Sequence, residues 1–446
     1  MKNKLIITLL LTVSSLLAQD QKQNYSFSLQ QAIDHALQNN YSAINANRDI
    51  EAAKKKKWET TTIGLPQINA GLDYQNNFEL QKSLIPAEFF GGNPGEFAEV
   101  AFGTKHNMNA RTTLSQLIFD GSYLVGLQSA KTYLKISENA KVKTNQELKE
   151  IVVNAYGNVL LAEESVSILE KNKTVLTKTL NDTREVFKNG LIEEENVEQL
   201  QLTLASIESS LEYSKRMKTI ADNMLKLVLG IDLAQELKLT DNLTALTQNN
   251  LDLALLKEEF NVTNNIDYQI GQNLQESKRL LMLYEKSKAL PSLAASVNFG
   301  YNSFNNQFAF FTSNQKWFNY SNMGVNLNVP IFSSLGRSAR TQQAKIALEQ
   351  SKTQLIETEQ KLKLQFEKSK SDYEYSLEQF GTAKNNLSLA ERIENKQQIK
   401  FREGLSSSFD FTEAQQQLYS RQQAYLQSMV EVINKKATLE KILNKN

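Results

Sequence analysis

Side chains capable of catalysis or metal binding are sparse in this sequence of 446 residues. It contains two histidines, His35 and His106, and no cysteine, so ligands for zinc, iron–sulfur and thiol chemistry are nearly missing. Neither histidine has potential ligands at a suitable spacing, and we expect a surface or packing role for both. There is no glycine-rich phosphate loop and no serine–histidine–aspartate spacing. The sequence therefore predicts that the protein is not an enzyme and holds no cofactor or metal.

Two carboxylates near the C-terminus form the most distinctive polar pair. Asp410 and Glu413 are three residues apart, so they share one face of a predicted helix. Ser407 precedes Asp410 by three residues, which is the spacing of a helix capping box. Asp410 is therefore either a helix cap or part of a charged site. The formal net charge of +1 gives no indication of nucleic-acid binding.

Long helices must position these residues, because glycine and proline are scarce in most of the chain. The five prolines fall in two windows, 66–94 and 291–330. Between the windows, apolar side chains follow the 4-3 spacing of packed helices. This predicted seam consists of Leu148, Val152, Ala155, Val159, Ala162, Val166, Leu169, Leu176 and Leu180. The stretch after the second window keeps a similar register with polar interruptions.

The two proline-containing windows alternate between apolar and polar residues, which predicts β-strands. The alternating segments are 67–74, 107–115, 293–301 and 322–329. Four strands of this length with one apolar face are typical of a transmembrane barrel, although a half-buried sheet in a soluble domain has the same alternation. Their connections are rich in phenylalanine and tryptophan, which suits either an interfacial belt or packing within the loops.

The first residues predict export. A basic start is followed by an apolar run from Leu5 to Leu17 and the small residue Ala18, so residues 1–18 are expected to be a cleaved signal peptide. The apolar run is shorter than the ~20 residues of a spanning helix. Export favours the membrane interpretation of the strands.

The chain repeats itself. Leu65-Pro66 recurs as Leu290-Pro291, and the separation of Phe119 from Gly190, 71 residues, recurs as 72 residues between Phe332 and Gly404. A helix at about 28–62 is expected before the first strand. The predicted organisation begins with a signal peptide at 1–18. The first repeat, at 19–230, has strands in 65–119, a long helix at 121–188 and a helix at 192–230. A mid-height linker at 231–250 leads to the second repeat at 251–446, which has strands in 290–332, a long helix at 335–402 and a helix at 408–443.

Four strands per chain cannot close a membrane barrel, because the smallest such barrels have about eight strands. An open sheet edge cannot lie in lipid. The chain is therefore expected to assemble with copies of itself, and a dimer or a trimer would satisfy this requirement.

The layout resembles that of the TolC-like outer membrane efflux proteins. The resemblance rests on the Leu-Pro strand openers, the strand closers Ile-Phe-Asp-Gly (118–121) and Ile-Phe-Ser-Ser (331–334), and the Gly-Leu turns at 190–191 and 404–405. It implies a mainly α fold with a membrane β-barrel: a homotrimer with a 12-stranded β-barrel, four strands per chain, continuing into a 12-helix α-barrel tunnel in the periplasm.

The resemblance also implies a function and a location. The protein would be the exit duct of a tripartite efflux or type I secretion system in the outer membrane of a Gram-negative bacterium. Substrates would pass from an inner-membrane pump through a periplasmic adaptor protein to the exterior. A secreted coiled-coil structural or adhesive protein is the alternative, because heptads alone would suit it.

The family places particular residues in particular roles. Asp410 and Glu413 would form the periplasmic gate, whereas Asn196 and Gln199 occupy the same offsets after Gly190. The adaptor-docking tips would be formed by Asn189, Gly190, Leu191, Glu403, Gly404 and Leu405. From the residues themselves, the cationic run 54–57 suits a helix end, and Trp58 and Tyr284 are expected at the membrane interface.

Overall fold

The computed structural model describes residues 24–445, so the predicted signal peptide at 1–18 lies outside the described residues. The described chain is mainly helical. The helices are α1 (Leu29–Asn39), α2 (Tyr41–Thr62), α3 (Gly121–Lys188), α4 (Glu194–Leu229), α5 (Leu243–Asn249), α6 (Ile266–Ser287), α7 (Gly336–Arg402) and α8 (Ser408–Ile442). The strands are β1 (Asn24–Phe27), β2 (Gln67–Asn76), β3 (Lys82–Pro86), β4 (Phe97–Ala101), β5 (His106–Asp120), β6 (Glu236–Leu239), β7 (Ser292–Asn305) and β8 (Phe318–Asn328).

The chain divides into two compact units, each built from separate stretches of sequence. One unit, here the strand unit, contains Glu51–Ile136 and Asn273–Thr353. The other, the helical unit, contains residues up to Ile50 together with Ser137–Gln272 and residues from Gln354 onward. Each unit therefore takes residues from both predicted repeats.

The strand unit contains an antiparallel sheet of four strands in the order β2-β5-β7-β8. The register aligns side chains of one type across all four strands: Ile68 lies opposite Leu114, Leu114 opposite Val297, and Val297 opposite Met323. The adjacent row is polar, with Asn69, Thr113, Asn298 and Asn322. The sheet thus has one apolar and one polar face, as the alternation predicts.

The first long connection contains structure that the sequence pattern does not predict. Between β2 and β5, strands β3 and β4 form an antiparallel hairpin of their own. Lys82 and Glu99 form an ion pair across it at 2.9 Å. In the second connection, Phe308 contacts Tyr74 and His106 edge-on, so these aromatic rings pack within the loops.

The helical unit is built from antiparallel helix pairs. Ion pairs join α3 to α4, including Lys173 to Glu208 at 2.9 Å and Lys218 to Glu163 at 3.0 Å. The predicted seam of α3 is largely buried: Val152, Leu169 and Leu176 have no exposed surface. These residues bury their side chains as the heptad pattern predicts.

The helix expected at about 28–62 is interrupted, which corrects that prediction. Asn40 has an extended backbone between α1 and α2. Its side chain accepts a hydrogen bond from the Ser42 amide at 2.8 Å and donates one to the Val228 carbonyl at 2.7 Å. Because these bonds satisfy the new helix start and tie it to α4, the interruption is stable.

The segment between the predicted repeats contains β6 and α5. Strand β6 pairs in parallel with β1. The buried Tyr156 of α3 donates its hydroxyl to Asp241 Oδ2 (2.9 Å) or to the Phe27 carbonyl (3.0 Å). On α7, the buried Tyr373 hydroxyl reaches the Asn250 carbonyl at 2.8 Å. Each long helix therefore holds one end of the segment around α5 through a buried tyrosine.

Candidate functional site

The two hairpin tips, where α3 turns into α4 and α7 turns into α8, have the same backbone geometry. Gly190 and Gly404 have φ values of 72° and 71°. At the first tip the Leu191 amide donates to the Val186 carbonyl, and at the second the Leu405 amide donates to the Lys400 carbonyl. This is a Schellman turn, in which glycine adopts the left-handed conformation without strain. The predicted turn role of both glycines is confirmed.

Both tips present their side chains to solvent. Leu191 and Leu405 are 74% and 78% exposed, although an apolar residue after a Schellman turn often packs back onto its helix. Asn189 and Glu403 are exposed as well. A Cβ atom added at Gly190 or Gly404 would meet no atom within 4 Å. The predicted tip residues thus form two open surfaces with an apolar side chain at each.

Asp410 caps the start of α8. The Asp410 amide donates to Ser407 Oγ at 3.1 Å, and the Asp410 carboxylate accepts from the Ser407 hydroxyl at 2.8 Å and from its amide at 3.3 Å. The hydrogen bond from the Ser407 side chain lowers the pKa of the Asp410 carboxyl, followed by the bond from the Ser407 amide. The capping interpretation of Asp410 is confirmed, and the carboxylate remains exposed and ionised at neutral pH.

Glu413 lies one turn further along α8 and is also exposed. At the corresponding place in α4, Asn196 and Gln199 are half-buried and uncharged. The side chain of Glu193, which precedes α4, makes no capping hydrogen bond. Carboxylates at these two positions are therefore a feature of the second tip.

Contacts between the two tips were not predicted from the sequence. The Ser408 amide donates to Asn196 Oδ1 at 3.3 Å. Phe411 is fully buried, stacks on Phe401 with ring centroids 5.4 Å apart, and joins a cluster with Leu176 and Leu200. The apolar residues at the start of α8 could have suggested a core position, but nothing in the sequence indicates that Phe411 packs against the first hairpin.

The two residues predicted for a membrane interface belong to the strand unit. Trp58 lies on α2 and is 59% exposed. Tyr284 lies on α6, is half-buried, and has Lys288 Nζ 4.4 Å from its ring centroid. Aromatic rings beside lysines are common where a protein meets lipid headgroups.

His35 and His106 pack against aromatic rings. His35 lies beside Phe27, and burial lowers the pKa of its imidazole. His106 Nδ1 lies 2.8 Å from the Tyr74 hydroxyl. Within residues 24–445, no three His, Asp or Glu side chains are grouped so that they could hold a metal ion.

No helix in the described part of the chain is long and apolar enough to cross a membrane.

Comparison with known proteins supports the resemblance to outer membrane efflux proteins. Residues 283–445 match the model of the outer membrane efflux protein family. The outer membrane protein TolC of Vibrio cholerae serotype O1 is 21% identical over 320 residues, which are 72% of this chain and 68% of TolC. The chain is similar to the TolC-like outer membrane efflux proteins. The resemblance inferred from the repeated motifs is thus confirmed.

Solved structures of channels share the fold of this chain. CusC superimposes with a TM-score of 0.74 at 16% identity, over 95% of each chain. The CmeC outer membrane channel of Campylobacter jejuni has a TM-score of 0.72 at 17% identity, over 96% of this chain and 90% of CmeC. The matching family and the TolC relative are outer membrane proteins, which agrees with the predicted location in the outer membrane of a Gram-negative bacterium and with a protein that is not an enzyme.

Proposed function

We propose that this protein is the exit duct of a tripartite efflux or type I secretion system. Three copies would form a 12-stranded barrel that continues into a 12-helix periplasmic tunnel. Substrates would pass from an inner-membrane pump through a periplasmic adaptor to the exterior. The observation that carries this proposal is the four-stranded sheet, because it has one uncovered apolar face, one polar face and two unpaired edges.

The apolar face of the sheet suits lipid. Ile68, Met323 and Leu327 are 73%, 72% and 62% exposed, and they would contribute little to a soluble protein. Within the described residues, β2 and β8 have no partner on their outer edges. An unpaired edge is not tolerated in hydrocarbon, so further copies must supply strands. Three copies provide twelve strands and leave no edge open.

The helical unit also has surfaces that suit contact between copies. On α4, the exposed side chains Leu202, Tyr213, Ile220, Met224 and Leu227 lie within an arc of about 60° at 100° per residue. We call this set the α4 stripe. On α7, Leu364, Tyr375, Leu389 and Ile393 lie within about 40°. Two apolar stripes on different helices permit a head-to-tail contact that closes into a ring.

Assembly and conduction test the duct directly. The unheated wild-type protein should migrate as a trimer in a denaturing gel and should conduct in planar bilayers. Replacing Tyr213 and Met224 with lysine should abolish the trimer, because the α4 stripe would then place two cations in an apolar contact. The matched variant with Tyr213→Phe and Met224→Leu keeps the stripe apolar and should assemble normally.

Other results would contradict the duct. A wild-type protein that is a soluble monomeric rod without conductance would favour the secreted coiled-coil alternative. A lysine variant that still forms stable trimers would exclude the α4 stripe from the interface between copies.

The second tip would form the periplasmic gate. In a threefold assembly, Asp410 and Glu413 would each repeat around the axis as a ring of three carboxylates, and such rings attract cations. Changing Asp410→Asn and Glu413→Gln should lower the cation selectivity of the bilayer conductance. The variant Glu194→Gln with Glu195→Gln removes the same charge from the first tip and should leave selectivity unchanged. Unchanged selectivity in the folded gate variant would leave Asp410 as a helix cap only.

The two tips would dock the adaptor through Asn189, Gly190, Leu191, Glu403, Gly404 and Leu405. The support is the exposure of Leu191 and Leu405, one on each tip. Replacing both leucines with serine should reduce crosslinking to the adaptor and leave the trimer intact, because neither side chain is buried within the chain. The same replacement at Leu202 and Leu227, in the α4 stripe, should instead weaken the trimer. Full crosslinking by the tip variant would argue against docking at these residues.

Trp58 and Tyr284 would mark the periplasmic face of the membrane. Their support is position, since Trp58 precedes β2 and Tyr284 precedes β7. Fluorescence of Trp58 in a Trp317→Phe background should be quenched by lipids brominated near the headgroup more strongly than by lipids brominated near the chain end. The opposite order would place Trp58 away from the interface.

A further inference from the structure

The two places where a strand leads into a long helix differ in structure. In the first, β5 ends at Asp120 and α3 begins at Gly121. Asp120 accepts hydrogen bonds from the amides of Ser122 (2.7 Å) and Tyr123 (2.9 Å), so strand and helix join directly. In the second, residues 329–335 separate β8 from α7. We call this segment the β8–α7 loop. It contains Ile331 and Phe332, which were predicted to close the strand, whereas the matching Ile118 and Phe119 of the first half lie within β5.

The β8–α7 loop exposes large apolar side chains. Ile331, Phe332 and Leu335 are 89%, 81% and 75% exposed. Ser334 and Leu335 have φ values of 47° and 64°, a left-handed conformation that bulky L-residues rarely adopt. The backbone thus keeps an unfavourable conformation that leaves Leu335 exposed, and such strain is common at ligand-binding sites.

A cavity of about 360 Å³ lies against this loop within the strand unit, bounded by Phe332, Leu335, Ala289, Lys286 and Arg337 among others. This volume falls within the range of small-ligand pockets. The lining joins apolar side chains of the loop to cationic side chains of α6 and α7.

The charge beside the cavity is positive. Glu285 lies 2.7 Å from Lys288 and 3.4 Å from Arg340, so its carboxylate is neutralised. Arg337 Nη2 donates to the Ile331 carbonyl at 3.3 Å. Within residues 24–445, neither Lys286 nor Arg337 has a carboxylate within ion-pairing distance. The cavity therefore offers two uncompensated cations next to apolar side chains.

We propose that the β8–α7 loop and this cavity bind a phospholipid with an anionic headgroup from the inner leaflet of the outer membrane. Lys286 and Arg337 contact the phosphate and the anionic headgroup, while Ile331, Phe332 and Leu335 lie among the acyl chains. The proposal rests on the proposed function, because the sheet must span the membrane for its periplasmic end to meet this leaflet.

Charge decides between a lipid and a second copy as the occupant. In the proposed ring, the edge of β8 pairs with β2 of the next copy, and α2 leads into that strand. Lys54 and Lys56 are paired with Glu51 and Glu59, but Lys55 and Lys57 have no carboxylate within ion-pairing distance in the described chain. A neighbouring copy therefore brings further cations towards the cavity. An anionic lipid is attracted by the cations of both copies. Direct contact between the two copies would instead bring these cations together with no negative charge to balance them.

The test is lipid binding by the full-length protein in detergent, followed by native mass spectrometry with added phosphatidylglycerol or phosphatidylcholine. Wild type should retain phosphatidylglycerol preferentially. The variant K286Q/R337Q should bind it about 25-fold more weakly, since each interfacial cation contributes roughly fivefold. The control K105Q/K316Q removes two exposed cations at the opposite end of the sheet and should bind like wild type.

A second measurement reports the position of the loop. With Trp58→Phe and Trp317→Phe, a tryptophan introduced by Phe332→Trp is the only one in the chain. Its fluorescence should be quenched by brominated phosphatidylglycerol, and adding Lys286→Gln and Arg337→Gln should reduce this quenching. Equal binding of the two lipids, unchanged binding by K286Q/R337Q, or displacement by inorganic phosphate would overturn the proposal.

These outcomes separate the lipid site from the duct. K286Q/R337Q should still form trimers and conduct like wild type. Loss of the trimer with lipid binding unchanged would assign the loop to contact between copies and overturn the lipid proposal. If wild type neither assembles nor conducts, the duct fails, while the lipid titration can still be read on whatever oligomer the protein forms.

Discussion

Tyr156→Phe removes a hydroxyl that joins α3 to the end of β1 and to Asp241, two residues after β6. The Tyr156 ring has no exposed surface, so phenylalanine fills the same space and only the hydrogen bonds change. In the wild type the hydroxyl lies 2.9 Å from Asp241 Oδ2 and 3.0 Å from the Phe27 carbonyl. Both acceptors keep one other partner, because Leu29 and Thr240 donate their amides to them.

The expected loss of stability follows from the hydrogen bonds that are removed and those that remain. A hydrogen bond to a charged group contributes about 1.5–3 kcal/mol, and the remaining partners reduce the penalty of an orphaned acceptor, so we expect about 2 kcal/mol. The loss should be local to β1, β6 and the start of α5. Hydrogen exchange of their amides should accelerate roughly 30-fold, because each 1.4 kcal/mol is a factor of ten.

Amide hydrogen exchange with peptide-level mass spectrometry measures this directly in the assembled protein. Tyr41→Phe is the matched control, since Tyr41 is 60% exposed, lies outside the proposed contacts between copies, and loses the same atom. Unchanged exchange in peptides covering β1 and β6 would refute the assignment of Tyr156 as the link. Equal acceleration throughout α3 and α4 would show instead that the variant loosens the whole unit.

Three further predictions concern single positions. Gly230→Ala should cost several kcal/mol and lower the yield of folded protein, because the new Cβ would overlap the Asn39 carbonyl oxygen. Gly404→Ala meets open space and should cost only about 1 kcal/mol of backbone strain, so equal yields and melting temperatures of the two variants would contradict this. Phe411→Ala should destabilise the tips by about 3–5 kcal/mol and speed their proteolysis, while its 62% exposed neighbour Phe409→Ala should change little; equal proteolysis would exclude Phe411 from the core. Burial raises the pKa of the Glu150 carboxyl, but hydrogen bonds from Lys441 and Thr438 outweigh it, so the pKa lies below its ordinary value of 4.5. The unfolded chain therefore binds this proton first as the pH falls, and stability that is complete above pH 4.5 is lost in more acidic solution; Glu150→Gln should remove that part of the acid sensitivity of the α3–α8 contact, measured by hydrogen exchange against pH.

The sequence predicts the long elements well, because their patterns are local. The helix expected at 121–188 coincides with α3, and the one expected at 335–402 with α7 from Gly336 to Arg402. A heptad seam predicts one buried stripe on its own helix, and the positive φ of the Gly-Leu turns favours glycine. Likewise, the alternation of apolar and polar residues along each strand is enough to predict the two faces of the sheet.

Features that depend on partners distant in sequence were not predicted. The break at Asn40 needs the Val228 carbonyl, and Phe411 needs the first hairpin to complete its surroundings. The hairpin of β3 and β4 has weak alternation and short strands, so the sequence predicts only a long connection there. At the second tip, the spacing of Ser407 and Asp410 predicts the cap. The hydrogen bond from the Ser408 amide to the Asn196 side chain, which joins the two tips, is evident only in the folded structure.

The parallel pairing of β1 with β6 has a consequence for the order in which the exported chain folds. Leu29 and Asp241, which are joined beside this pair, are 212 residues apart. At roughly 5–20 residues per second, ribosomes need about 10–40 s to make the intervening chain. Until β6 reaches the periplasm, Tyr25, Phe27 and Ile33 lack the surface that buries them. The N-terminal strand therefore emerges first and docks late, and in that interval a periplasmic chaperone would protect its apolar side chains from aggregation.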